Sequence, residues 1–185
     1  MVIKGVTGSA KQTTTLATEN LQINGNVMNS NTLVIEKTAN IAGNVKATTI
    51  SVGNGMAGKE NCLNVTGTVT TDKLVMNGYT AVSAGNTVTI KDIVNEKTEG
   101  LEGAQTNTIH YGKNKNGAPN LILKGTISGS NEKKVVLNLL STDKDRNGYM
   151  LKLDAKGVKY TPNNAQKLLT MEKAFTTDVI LQLNG

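Results

Sequence analysis

Residues 63–78 read Leu63-Asn64-Val65-Thr66-Gly67-Thr68-Val69-Thr70-Thr71-Asp72-Lys73-Leu74-Val75-Met76-Asn77-Gly78. A five-residue motif occurs twice in this stretch: two apolar residues with one residue between them, then a polar residue and a glycine. Alternation with a period of two places the apolar side chains on one face of a strand, where they can be buried. The glycine permits a turn or a positive φ angle at the corner that follows. The stretch therefore predicts short β-strands joined by sharp corners.

The same motif returns along the rest of the chain. Its five copies occupy residues 21–25, 63–67, 74–78, 121–125 and 181–185. In three copies an apolar residue follows two places after the glycine, namely Val27, Val69 and Ile127. Such repetition is typical of shafts, solenoids and surface fibres, which stack similar units along one axis.

The composition agrees with an all-β fold. The 185 residues include 25 Thr, 23 Asn and 19 Gly, but one Phe, four Tyr and no Trp. Thr favours strands, whereas Asn and Gly favour turns. Few aromatic residues suit a narrow core of stacked Val, Ile and Leu. We therefore predict an irregular parallel β-helix or an intertwined β-fibre shaft.

The pattern divides the chain into three parts. Residues 1–18 are polar and predict an arm or linker, and residues 19–103 carry the densest repetition. The apolar pairs recur at intervals of roughly ten to seventeen residues, which is too irregular for an array of fixed period. Residues 104–185 predict antiparallel hairpins, including one at Asn147-Gly148 between strands at 135–140 and 149–153.

One short helix is predicted over residues 162–175. Thr161 is a suitable N-cap and Pro162 suits the first helical position. Ala165, Leu168 and Leu169 would then share one face.

The charge distribution bears on partners. The net charge is +6, with 19 Lys and the single arginine Arg146. Sequence-specific readers of nucleic acid use Arg, and single-strand binders use aromatic stacking. We therefore expect no nucleic-acid partner and interpret the lysines as protection of strand edges.

No run approaches the ~20 apolar residues of a membrane span, so we expect no membrane insertion. No signal peptide is visible after Met1, so we expect either cytoplasmic assembly or an excised fragment.

Catalytic and cofactor-binding residues are not predicted. Cys62 is the only cysteine and precedes a strand pattern, so we expect a small core or edge residue. His110 is the only histidine and lies in the strand-like run 108–111. A single histidine makes neither a triad nor a zinc site, and we expect it to be exposed or at an edge.

One segment resembles the start of a calcium loop. Oxygen ligands fall at alternate positions from residue 143, with glycine sixth and an acid twelfth. The candidate calcium ligands are Asp143, Asp145, Asn147, the Tyr149 carbonyl and Asp154. The strand-like flanks and the cation of Arg146 favour the alternative, a polar hairpin turn.

Two family resemblances suggest functions. Residues 63–78 resemble the shaft repeats of phage fibre and appendage proteins, and residues 153–160 are similar to their tip or connector regions. That resemblance implies intertwined homotrimers that attach particles to hosts or decorate them. Residues 31–45 look like the rungs of bacterial β-helix proteins, among them autotransporter passengers, haemagglutinin-type adhesins and bactofilins. Neither resemblance includes a site motif.

We therefore expect a non-enzymatic structural or attachment protein of a virion fibre or particle surface. A bacterial β-helix adhesin at the cell surface is the first alternative, and a polysaccharide-active β-helix enzyme is the second. The expected partners are further copies of the chain, as a homotrimer or larger assembly, and other structural proteins. A host-surface glycan is a further candidate, because Thr and Asn on the exposed strand faces could bind sugars or could be ordinary solvated sheet.

Overall fold

The computed structural model describes residues 2–9, 11–29, 31–53, 60–96, 105–112, 121–124, 127–129, 135–141, 152–153, 158–162, 167–171 and 179–184. These residues contain strands and no helix. The strands are, in chain order, β1 (Val2–Ile3), β2 (Val6–Gly8), β3 (Thr14–Leu16), β4 (Leu21–Ile23), β5 (Val27–Asn29), β6 (Thr32–Ile35), β7 (Ala39–Ile41), β8 (Val45–Val52), β9 (Asn61–Val65), β10 (Val69–Asn77), β11 (Thr80–Ala84), β12 (Val88–Glu96), β13 (Gln105–Tyr111), β14 (Leu121–Leu123), β15 (Ile127–Gly129), β16 (Val135–Ser141), β17 (Lys152–Leu153), β18 (Val158–Pro162), β19 (Lys167–Met171) and β20 (Val179–Asn184).

Two parallel sheets contain all of these strands except β18 and β19. Sheet A has eight strands in the order β1-β4-β7-β9-β11-β13-β16-β20. Sheet B has ten, with the path β17-β14-β12-β10-β8-β5-β2 and with β3, β6 and β15 paired beside it. The chain alternates between the sheets, and each strand pairs with its equivalent in the next passage. The prediction of an all-β fold is confirmed, and the parallel pairing is consistent with a β-helix.

We call one passage through sheet A and then sheet B a coil. Within sheet B each coil has two arms. β8 shows the division, because its residue Val45 pairs with β5 whereas Thr49–Val52 pair with β6. The two arms are separate strands in the early coils, one long strand in the middle coils, namely β8, β10 and β12, and separate strands again as β14 and β15.

Identical or similar apolar residues stack from coil to coil. In the first arm of sheet B, Val27, Val45, Val69 and Val88 are in register and almost fully buried. Similar columns run through the second arm and through sheet A, and residues of both sheets belong to one hydrophobic cluster. Burying each such side chain contributes about 1.5–3 kcal/mol. The described core therefore forms within a single chain.

A column of glycines lets the backbones of successive coils approach closely where sheet A leads into sheet B. A Cβ atom on Gly43 would lie 2.6 Å from the carbonyl oxygen of Gly25, and one on Gly67 would lie 2.6 Å from that of Gly43. Gly85 and Gly112 continue the column. None of these five glycines has a positive φ angle, in contrast to Gly78 at 63°. The motif's glycine thus serves close approach at one corner and a left-handed backbone at another.

The coils differ in length. The backbone N–H of Asn44 donates to Oδ1 of Asn26, 18 residues earlier, at 2.8 Å. The backbone N–H of Thr68 donates to Oδ1 of Asn44, 24 residues earlier, at 2.9 Å. The same turn therefore recurs after unequal numbers of residues, which explains the irregular spacing in the sequence.

The predicted antiparallel hairpins of residues 104–185 are mostly wrong. β16 pairs in parallel with β13 and β20, and β17 pairs in parallel with β14. The hairpin predicted between 135–140 and 149–153 is therefore not formed, and Asn147-Gly148 lies outside the described residues. Among the described strands, β18 and β19 are the antiparallel pair.

The helix predicted over 162–175 is also wrong. Pro162 ends strand β18, and residues 167–171 form β19, which pairs with β18 in the register Pro162↔Lys167. Pro is compatible with a strand end because its missing N–H is not needed there. Pairing of the two segments has overridden the local helix signal.

Residues 1–18, for which we expected an arm, contain β1, β2 and β3. These strands pair with β4, β5 and β6, and Leu16 joins the hydrophobic cluster. The described part of this segment is therefore continuous with the coils. The boundaries at 18 and 103 stay predictions.

Candidate functional site

A ladder of outward-facing side chains runs along the first arm of sheet B. Strand alternation buries the valine column and turns the next residue of each coil outward. Thr7, Met28, Lys46, Thr70 and Thr89 occupy this position and pair in register from coil to coil. The ladder presents hydroxyls, a thioether and one ammonium group on a single surface.

The chain bends where the first arm meets the second, and a groove lies along this bend. We call it the corner groove; its volume is about 370 Å³. Its lining includes Thr7, Met28, Lys46, Thr48, Thr70 and Asp72. These residues come from four successive coils, so the groove crosses the strands.

Buried polar side chains fix the floor of the corner groove. Asn29 is almost fully buried, and its Nδ2 donates to Oγ1 of Thr14 and to the carbonyl oxygen of Thr32, both at 2.9 Å. Its Oδ1 accepts from the backbone N–H of Asn31 at 2.9 Å. A Cβ on Gly8 would lie 2.7 Å from Cγ of Asn29, so the neighbouring coil needs glycine at this level.

Thr71 has the same role two coils further on. Its hydroxyl lies 3.1 Å from the carbonyl oxygen of Thr48 and 2.9 Å from that of Lys73, and can donate its proton to either. Thr71 is buried, whereas Asp72 beside it is exposed. The bend is therefore held by side-chain-to-backbone hydrogen bonds, and the exposed groups above it are held in place by this floor.

The corner groove contains one cation and one anion among its described lining residues, Lys46 and Asp72. Both side chains are exposed, and neither belongs to an ion pair of the described residues. The next coil has a different arrangement, because Nζ of Lys91 lies 3.9 Å from Oδ2 of Asp92. Lys46 and Asp72 are thus available to a ligand.

Cys62 and His110 both lie on the outer face of sheet A, half-buried. Burial, the charge of Glu60 and a hydrogen bond between the thiol and Glu60 together raise the pKa of the Cys62 thiol to about 11, and burial is the largest cause. Burial lowers the pKa of His110, and the charge of Glu60 partly opposes that shift. Both groups are therefore uncharged at neutral pH, and the thiol is a poor nucleophile.

The candidate calcium ligands Asp143, Asp145, Asn147, Tyr149 and Asp154 all lie outside the described residues. Within the described ranges, no three His, Cys, Asp or Glu side chains come together as a metal site. The same ranges contain no helix with the length and apolar character needed to cross a membrane.

The groove residues are not among the sites predicted from the sequence. Lys46 and Asp72 are 26 residues apart and belong to no motif that predicts a binding site. The relevant signal is the alternation within each strand, which marks Lys46 and Thr70 as outward-facing. That signal identifies a shared surface only when the coils are aligned, and their unequal lengths hide the alignment.

Comparison of the chain with models of protein families, with curated proteins and with solved structures found no match.

Proposed function

We propose that this protein is a non-enzymatic structural and attachment protein, displayed on a virion fibre or another particle surface. The observation that supports it best is the stacked core, in which the same apolar columns continue through successive coils. Stacked coils resist bending because each strand is hydrogen-bonded to the strand of the next coil, and the number of coils sets the length of the stack. A stack of this kind could hold a binding surface at a distance from the particle that carries it.

A bacterial β-helix adhesin is the second candidate, and one observation favours it. Leu33, Ile50 and Leu74 stack in register with no exposed area, and the residues that cover them belong to the same chain. An intertwined shaft, in contrast, would share such a core between chains. The homotrimer stays part of the fibre proposal and needs surfaces other than this core.

The absolute mass in solution separates the two candidates. We would measure it by size-exclusion chromatography with light scattering, together with small-angle X-ray scattering for the maximum dimension. A trimer of elongated shape supports the fibre protein, and an elongated monomer supports the adhesin. A compact particle in either state would contradict both.

The attachment step needs its own measurement. Fluorescently labelled protein should bind intact cells or particles in a saturable manner, and excess unlabelled protein should compete. A heat-unfolded sample provides the control for non-specific adhesion. The enzyme alternative requires clustered carboxylates or basic residues in a groove, since glycoside hydrolysis generally uses two carboxyl groups. Release of reducing ends from a polysaccharide panel would replace our proposal with that alternative.

A further inference from the structure

We propose that the corner groove binds a glycan chain that carries carboxylate groups. In this arrangement the Lys46 ammonium pairs with a glycan carboxylate, while Asp72 and the threonine hydroxyls bind glycan hydroxyl groups. The inference rests on the proposed attachment function, since it names the class of ligand for that function.

The shape of the corner groove suits a chain better than a small ion. Neighbouring strands lie about 4.8 Å apart, so Thr7 and Thr70, on the first and fourth coils, are separated by about 14 Å. The volume of about 370 Å³ lies at the smaller end of ordinary ligand sites. A short stretch of oligosaccharide, laid across the strands, fills a site of this length.

The groups that line the groove match a sugar chain. Thr7 and Thr70 provide hydroxyls, each of which can donate one hydrogen bond and accept others. Met28 is 41% exposed and offers an apolar surface to the C–H face of a sugar ring. Hydroxyls beside one apolar contact are complementary to a ring that has both polar edges and an apolar face.

The opposite charges of Lys46 and Asp72 would fix the orientation of the glycan in the groove. Lys46 is in register with Thr70, and Asp72 lies two residues beyond Thr70 on the same strand. A glycan carboxylate is attracted to Lys46 and repelled by Asp72, so it must lie at the lysine. Asp72 accepts hydrogen bonds and therefore selects hydroxyl groups at its own end. The net charge of +6 adds a long-range attraction for acidic polymers.

The site is also formed before the ligand arrives. Asn29 and Thr71 hold the bend through hydrogen bonds to backbone groups, so binding need not order the groove floor. A preorganised site loses less conformational entropy on binding. Single-stranded nucleic acid is another acidic chain, but it is bound through aromatic stacking, and the groove's described lining contains Met28 in place of an aromatic residue.

The test uses the full chain and two acidic hexasaccharides, oligogalacturonate and hyaluronan, each beside its methyl-esterified form. Calorimetric titration should show at least one acidic hexamer binding about tenfold or more tightly than its neutral ester. Lys46→Ala should weaken the acidic hexamer about tenfold, since it removes a charge-assisted hydrogen bond, and should change binding of the ester less than twofold. Lys124→Ala is the control, because Lys124 is an exposed lysine that follows β14, two strands away from the strand of Asp72, and lies outside the groove lining.

A second variant, Asp72→Asn, should weaken the neutral hexamer, because an amide oxygen accepts hydrogen bonds less strongly than a carboxylate, and should weaken the acidic hexamer less, because it also removes a repulsion. Circular dichroism and the urea midpoint should confirm that all variants are folded. The inference is overturned if neither acidic hexamer binds, if Lys46→Ala binds as wild type, or if oligo-dT binds more tightly than both hexamers. Attachment to cells without hexamer binding would overturn the groove inference alone. Hexamer binding by a protein that attaches to no surface would overturn the attachment function alone.

Discussion

The side-chain amide of Asn107 is joined to Thr80 of the preceding coil by two hydrogen bonds. Its Oδ1 accepts from the backbone N–H of Thr80 at 3.0 Å and from the Thr80 hydroxyl at 2.7 Å, and both residues are fully buried. Its Nδ2 lies 3.4 Å from the carbonyl oxygen of Met76. Thr80 follows the two residues Gly78 and Tyr79, whose φ angles are 63° and 51°. The amide therefore anchors a left-handed corner of the backbone.

Substitution Asn107→Leu should destabilise the protein by about 1–3 kcal/mol, because it leaves the Thr80 N–H buried without its partner. The next coil has a leucine at the equivalent position, because Leu137 is in register with Asn107. The expected loss of stability therefore comes from the missing hydrogen bonds and not from poor packing of the leucine. The urea midpoint measures the effect. Asn64→Ala is the control, since Asn64 bonds to Asn40 at a part-buried site and should cost less. Equal losses would contradict the anchoring role.

The glycine column gives a second prediction. Gly67→Ala should destabilise the protein by about 1–3 kcal/mol, because the new methyl group would lie 2.6 Å from the rigid carbonyl oxygen of Gly43. Gly5→Ala is a matched control, since its Cβ would lie 3.2 Å from the nearest atom, the Asn26 oxygen. Thermal or urea unfolding of both variants checks the difference. A Gly67→Ala protein as stable as wild type would show that the coils can move apart without cost.

These glycines also show how far the sequence predicts the fold. The apolar alternation at Leu63 and Val65 correctly marks inward-facing strand positions, because strand period depends only on local geometry. Copies of the motif, however, occupy more than one place in the coil. Residues 63–67 lie in sheet A and lead into the glycine column, whereas 74–78 lie in the second arm of sheet B. The motif marks a strand followed by a corner, and each coil contains more than one such strand and corner.

Partner strands were harder to predict than strands. β16 and β17 are separated by a hairpin-like dipeptide, yet each pairs with a strand from another coil. Parallel pairing depends on contacts distant in sequence, which local patterns do not report. The corner groove was hidden for the same reason, since Lys46 and Asp72 belong to different coils. The sequence could show that polar groups face outward, but not which of them share a surface.

A third prediction tests the strand register directly. Leu74 is fully buried and in register with Ile50 and Ile93, whereas its neighbour Val75 faces outward. Leu74→Ala should therefore cost about 2–5 kcal/mol through lost burial and a residual cavity. Val75→Ala should cost less than about 1 kcal/mol. A register shifted by one residue would reverse the order of the two losses.

If the core forms within one chain, the unfolding midpoints should also be independent of protein concentration.

The last prediction concerns the pH dependence of Cys62. Its pKa is about 11 in the folded protein, against 9.0 for an ordinary thiol, chiefly because the thiolate would be partly buried. The folded state therefore holds the thiol proton where the unfolded state has lost it. The contribution of the protonated Cys62 thiol to the free energy of unfolding is fully present below pH 9 and is lost as the pH rises towards 11. Alkylation by iodoacetamide at pH 8.5 should accordingly be much slower in the folded protein than in urea.

The variant Glu60→Gln separates the causes of this shift. Removing the Glu60 charge should lower the pKa of Cys62, and so speed alkylation at pH 9–10, but the pKa should stay above 9.0 because burial is the largest cause. Glu36→Gln is the control, since Glu36 does not contribute to the shift of Cys62 and should leave the profile unchanged. A pKa near 9.0 in the Glu60→Gln protein would mean that the carboxylate, and not burial, keeps the thiol protonated.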